Sequence, residues 1–136
     1  MSMDRLIKWI DFPTLGDDRG GLVAIEGDKA IPFDVKRVYY IFGTQKNVTR
    51  GLHAHLALKQ LMVCATGSCE ILLDDGKNRE SVRLDSPTKG LLVEGLVWRE
   101  MSRFSSDCVL LVIASERYDE SDYIRDYEEF QRLVTT

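Results

Sequence analysis

The sequence predicts an all-β sandwich or barrel closed by a short C-terminal helix. Short apolar segments crowded with β-branched and aromatic residues recur along the chain. Turn compositions such as "GDDRG", "ATGS", "DDGKN", "DSPTKG" and "SSD" separate them. Only the tail, "DESDYIRDYEEFQRLV", breaks this pattern, with Tyr123, Tyr127 and Phe130 at helical spacing.

In chain order, strands are expected at "GLVAIE" (21–26), "KRVYYIF" (36–42), "KQLMVCA" (59–65) and "SCEILLD" (68–74). Further strands are expected at "SVRL" (81–84), "GLLVE" (90–94), "VWREMSRF" (97–104) and "CVLLVIAS" (108–115). "DDG" at 74–76 is a hairpin signal between two of them. Residues 108–115 are apolar on both faces, so that strand is covered on both sides, by a subunit interface or as a central core strand. Asp119 or Ser121 is expected to cap the C-terminal helix.

With 136 residues the chain forms a single domain, 1–136, large enough for one core. Hydrophobic residues at 44% and charged residues at 29% give a soluble balance. A net charge of -4 argues against nucleic acid or an acidic membrane as partner. No apolar run could span a bilayer, and "MSMDRLIKWIDF" has no signal-peptide core, so the expected location is the cytoplasm. Cys64, Cys69 and Cys108 sit among apolar residues and read as buried free thiols.

The only two histidines stand one residue apart in "RGLHAH" (50–55). On a strand His53 and His55 project from the same face. The spacing resembles the metal-binding cupin pattern of His-x-His followed by a glutamate and, in a later strand, a third histidine. Here Gln60 occupies the glutamate position and Trp98 the third histidine position. An amide is a poor ligand for a divalent metal and indole is none, so no metal is expected. Two imidazoles can take and give protons near neutral pH, which suits moving a proton between neighbouring carbons. The residues therefore read as a metal-free, histidine-dependent isomerase or epimerase in a cupin-like barrel.

"RGLHAHLALKQ" (50–60), "IPFDVKRVYYIF" (31–42), "GSCEILLDDG" (67–76), "VWREMSRFSSDCVLLVIAS" (97–115) and "YDESDYIRDYEEF" (118–130) occur in order at characteristic spacing. In this the chain resembles the dTDP-4-oxo-6-deoxy-glucose 3,4-ketoisomerases, WxcM-like proteins of the FdtA type, across residues 8 to 131. The resemblance implies an RmlC-like cupin jelly roll that forms a homodimer with exchanged N-terminal strands and uses no cofactor. It implies a dTDP-linked 4-oxo-6-deoxy-hexose as substrate, whose carbonyl moves from carbon 4 to carbon 3. It further implies a product that feeds 3-amino-3,6-dideoxy sugars of O-antigen, lipopolysaccharide and related surface glycans.

By the same resemblance His53 and His55 are the acid–base pair, with His55 the main base, although the division is open. Tyr39, Arg50 and Gln60 are candidate stabilisers of the enediolate. Tyr39 and Tyr40 alternate faces, and Arg50 serves either substrate or a structural carboxylate. For the diphosphate, Arg37, Lys59 and Arg83 are candidate cations. Arg19 resembles the branch that forms the galacto product and Arg99 the branch that forms the gluco product; the wording of the whole chain favours galacto. Two alternatives stand beside this reading: a non-catalytic dTDP-sugar-binding cupin and a dTDP-4-oxo-6-deoxy-sugar 3,5-epimerase.

Overall fold

The computed structural model describes residues 6–135; the first five residues of the segment read as lacking a signal peptide, and Thr136, lie outside it. Two five-stranded antiparallel sheets face each other. The first contains β1 (Lys8–Asp11), β4 (Arg37–Phe42), β6 (Gln60–Thr66), β9 (Lys89–Val93) and β11 (Val109–Ala114), in the order β1-β9-β6-β11-β4. The second contains β5 (Arg50–His55), β7 (Cys69–Asp74), β8 (Arg79–Leu84), β10 (Trp98–Ser102) and β12 (Tyr123–Ile124), in the order β12-β5-β10-β7-β8. A separate hairpin pairs β2 (Leu15–Asp17) with β3 (Gly20–Leu22), and α1 (Tyr127–Thr135) ends the chain. This is the expected all-β sandwich with a C-terminal helix.

Alternation along the strands places one set of side chains between the sheets. Met62 and Cys64, Ile71 and Leu73, Leu91 and Val93, and Leu110 and Val112 form that core. The three cysteines lie in it as free thiols, with Cys64 Sγ 3.7 Å from both Cys69 Sγ and Cys108 Sγ. Burial raises the Cys108 thiol to about 12, and Cys64 is raised as well, by its contact with Cys69 and by burial, so both stay protonated. The second apolar face of β11 meets Ile31 and Phe33 from the connection before β4. Its coverage is thus internal, and β11 sits centrally between β6 and β4.

Strand ends shift by one or two residues from expectation, and two larger differences matter. The strand expected over 21–26 pairs only as far as Leu22, and the chain then bends into the segment that covers β11. The helix expected over 119–134 begins only at Tyr127. Asp119 instead caps a 3-10 turn (Glu120–Asp122), accepting from the Ser121 amide, and Tyr123 enters β12. Asp126 caps the true helix, accepting from Glu128 N at 3.0 Å. The helix lays Phe130 over Ala54 and Trp98 on the outer face of the second sheet. The "DDG" hairpin forms as expected, with Asp75 N donating to Asn78 O.

Candidate active site

The histidine pair is set by a bulge in β5. Arg99 of β10 faces His53 while Glu100 faces Gly51, so Leu52 is the extra residue. Gly51 (φ +84°) and Leu52 (φ +59°) both take left-handed backbone to make it. A Cβ on Gly51 would lie 3.0 Å from the Arg99 carbonyl oxygen, so glycine is required there. After the bulge, His53 and His55 turn between the sheets and Ala54 turns under the helix. The two rings are buried edge-to-face with centroids 4.8 Å apart.

Each imidazole keeps one buried nitrogen without a partner among the described residues, Nδ1 of His53 and Nε2 of His55. His55 Nδ1 lies 3.1 Å from Asp122 Oδ2. Asp122 also accepts from the amides of Ala57 (2.8 Å) and Leu58 (3.3 Å), which fixes the carboxylate. As the carboxylate can only accept, His55 carries its proton on Nδ1 and presents the Nε2 lone pair. Tyr123 of β12 packs against both rings, tilted to His53 with centroids 5.0 Å apart and edge-on to His55 at 4.3 Å.

Beside the pair, on the neighbouring strand and in register with His53, lies Arg99, wholly buried and without a carboxylate in contact among the described residues. Its Nη1 donates to Gln60 Oε1, its Nη2 donates to Val97 O at 2.8 Å, and its Nε has no partner. Gln60 Nε2 in turn donates to Tyr39 Oη at 2.9 Å, which leaves the tyrosine proton free to be donated. Burial lowers Arg99 to about 10, so it remains charged at neutral pH. Burial and the Arg99 charge lower His53 to about 4. His55 is also well below its ordinary value, through burial first and then Arg99. Both imidazoles are therefore neutral at pH 7. Two histidines and an amide beside a buried guanidinium do not suit a divalent cation.

Two cavities open on the pair. One of about 690 Å³ includes His55, Arg37, Tyr118, Asp122 and Tyr123 in its wall. The other, about 350 Å³, includes His53, Tyr39, Arg50, Arg37, Tyr123 and Arg125. Residues 5–135 match the family model "FdtA: WxcM-like, C-terminal". The chain belongs to the FdtA family.

A curated TDP-4-oxo-6-deoxy-alpha-D-glucose-3,4-oxoisomerase of Aneurinibacillus thermoaerophilus is 54% identical to this FdtA-family chain, over 93% of it and 91% of the relative. A 3,4-ketoisomerase from Thermoanaerobacterium thermosaccharolyticum, solved as a histidine-to-asparagine mutant with TDP-4-keto-6-deoxyglucose, has a TM-score of 0.94. Its identity is 44%, covering 98% of this chain and 96% of that one. The TDP-quinovose 3,4-ketoisomerase of Campylobacter jejuni matches at 48% identity and a TM-score of 0.89, covering 93% of this chain and 97% of that one. A dTDP-4-dehydrorhamnose 3,5-epimerase from Bacillus anthracis shares the fold at 16% identity and a TM-score of 0.74 over 86% and 76% of the two chains.

Among the residues expected from the sequence, the fold brings together His53, His55, Tyr39, Gln60 and Arg99, with Arg50 exposed on the rim of the smaller cavity. Tyr40 faces outward. Arg19 is apart from them, exposed at the β2–β3 turn and ion-paired to Asp17 at 2.6 Å. Trp98, the counterpart of a third histidine, points under the helix, where its Nε1 donates to Glu100. The inward residue of this FdtA-family strand is its neighbour, Arg99. Asp122 and Tyr123 were not anticipated; their signal was the "YDESDYIRDYEEF" stretch, read as helix.

The neutral histidines make a stability prediction. Each is held below its unfolded value of 6.5, so the unfolded chain binds more protons once pH falls below that value. Their contribution is complete above pH 6.5 and declines as pH drops toward His53's value of about 4. The slope is about 1.4 kcal/mol per pH unit for each histidine. Urea unfolding of wild type and of the His53→Asn, His55→Asn double variant between pH 7 and 5 measures it. The double variant is expected to lose most of the slope; equal slopes would show that the histidines are not held neutral.

Proposed function

We propose that the chain is a sugar-nucleotide 3,4-ketoisomerase that converts TDP-4-oxo-6-deoxyglucose into its 3-oxo isomer by histidine acid–base chemistry. The observation that carries the mechanism is the His55–Asp122 contact, which leaves His55 Nε2 buried, unprotonated and unpartnered beside His53.

The hydrogen on carbon 3 is acidified by the neighbouring carbonyl. His55 Nε2 removes it, and the electrons move toward the carbon 4 oxygen, forming an enediolate. His53 carries the proton of the carbon 3 hydroxyl to the carbon 4 oxygen. The imidazolium of His55 then protonates carbon 4, and the carbonyl re-forms at carbon 3. The proton count closes without a redox partner. Asp122 stabilises the transient imidazolium, a role parallel to the carboxylate of a catalytic triad. Arg99, through its charge, and Tyr39, through its free proton, favour the enediolate over the neutral ketone. Incubation with TDP-4-oxo-6-deoxyglucose tests this reading: an isomeric 3-oxo sugar nucleotide supports it, and unchanged substrate contradicts it.

The wording of the whole chain favours a galacto configuration at carbon 4. One observation favours gluco instead: of the two positions associated with that choice, Arg99 lies at the histidines whereas Arg19 does not. The proton coupling at carbon 4 of the product distinguishes them.

The enzyme acts in the cytoplasm as a homodimer. β4 is a sheet edge whose outward residues Val38, Tyr40 and Phe42 are 56%, 61% and 71% exposed. An apolar edge of this kind invites a second chain. In the single chain β1 pairs with β9; exchange of N-terminal strands would make the same ladder between copies. Light scattering is expected to give twice the 15.5 kDa chain mass, and Phe42→Lys is expected to shift it toward monomer. A monomeric wild type would contradict the assembly.

A further inference from the structure

Three thiols meet between the sheets, away from the histidines. Cys64 lies in β6, Cys69 opens β7 and Cys108 immediately precedes β11. Gln60, which reaches the histidine site, opens β6 opposite Ala114 at the close of β11, and Cys64 is about 13 Å further along the strand. We propose that Cys64, Cys69 and Cys108 form a binding site for a trivalent, thiol-seeking metalloid, of which arsenite is the simplest.

The sulfurs already form a triangle. Cys64 Sγ lies 3.7 Å from each of the other two, and all three lie within 4.8 Å of one another. Bonds of about 2.3 Å from a soft centre to thiolate sulfur hold three sulfurs roughly 3.5 to 4.0 Å apart, the shorter spacing for a pyramidal centre. The ligand therefore needs only a small closing of one side. All three cysteines are free and buried, and the fold has brought them together from three separate strands.

Coordination number and charge select the ligand. Among the described residues no histidine, carboxylate or further cysteine joins the three, and they share their core cluster with apolar side chains such as Met62, Ile71, Met101 and Leu110. Zinc, which takes four ligands in structural sites, is left one short. A monovalent or divalent ion on three thiolates would leave net negative charge in this core, at a large desolvation cost. Asp85 acts on Cys64 and Asp107 on Cys108 with the same sign. A trivalent centre avoids the charge. Arsenite enters as neutral As(OH)3; three As–O bonds break, three As–S bonds form, and each thiol proton leaves with a hydroxyl as water. Arsenic stays trivalent, so no oxidant or reductant is consumed, and the adduct is neutral and three-coordinate.

The test titrates the phosphine-reduced full chain with sodium arsenite and reads mass, ligation and stability. The proposal expects native mass spectrometry to show one arsenic per chain in place of three hydrogens. X-ray absorption at the arsenic edge is expected to show three sulfur neighbours. Cys69→Ala and Cys108→Ala each leave two thiols, and each is expected to lose the adduct at the arsenite concentration that just saturates wild type. Because the ligand binds the folded chain, it is expected to raise the urea midpoint of wild type. A lowered midpoint would show capture of the thiols by the unfolded chain and would overturn the proposal. So would fewer than three sulfur neighbours, an adduct kept at wild-type affinity in both variants, or no adduct at all. The wild-type mass, ligation and midpoint decide the case even where a variant does not fold.

Discussion

Replacing His55 by asparagine is expected to lower kcat by at least about 10³-fold while the protein keeps its fold and still binds TDP. General acid–base catalysis by one positioned group contributes roughly 10²- to 10⁴-fold, and His55 acts twice in the cycle, first as base and then as acid. Asparagine matches imidazole in polarity and can still donate an amide hydrogen to Asp122, so that carboxylate is not stranded. The same change at His53 is expected to cost less, because bulk water can also shuttle a proton between oxygens. Circular dichroism, TDP calorimetry and turnover, measured on one preparation of each variant, separate catalysis from folding. A His55→Asn protein with turnover within tenfold of wild type would remove His55 from the base role. A larger loss in His53→Asn would reverse the division between the two histidines.

Arg99→Met is expected to show the opposite coupling of stability and activity from an ordinary core mutation. Methionine fills much of the same volume without the charge. Loss of the cation that faces the developing enediolate is expected to lower kcat by roughly 10²- to 10³-fold, the scale of one preorganised oxyanion donor. Stability is expected to change little. The guanidinium is wholly buried with no carboxylate in contact among the described residues, so removing its desolvation cost offsets the donors lost by Gln60 and Val97. The histidines report on the same change: Arg99 lowers both, so both are expected to titrate higher in the variant, as followed by the ring proton shifts. Near-normal turnover in a folded Arg99→Met protein would take the guanidinium out of the chemistry.

The sequence made some of this site readable because the relevant geometry is local. His53 and His55 share a face whatever the strand does around them, and Tyr39 sits in a strand whose burial alternates residue by residue. The inward turn of Arg99 was less legible. Trp98 and Arg99 occupy opposite faces of β10, and which of them meets His53 depends on the bulge at Leu52, which shifts the pairing register. Asp122 was hidden for a different reason. It lies 67 residues from His55 in sequence, on a 3-10 turn followed by a strand of only two residues. Tyr123, Tyr127 and Phe130 then imitate a helical stripe, although Tyr123 packs on the histidines and only the other two belong to the helix. The coverage of β11 was likewise undecidable from its own residues, since an internal loop and a second subunit demand the same two-sided apolar pattern.

Proton NMR of TDP-4-oxo-6-deoxyglucose incubated with the enzyme in heavy water tests the central claim most directly. The account predicts that the carbon 3 hydrogen signal disappears, that a 3-oxo species arises, and that carbon 5 keeps its hydrogen. Exchange at carbon 5 would make the protein an epimerase, and a spectrum that never changes despite TDP binding would make the histidine pair a binding feature rather than a catalytic one.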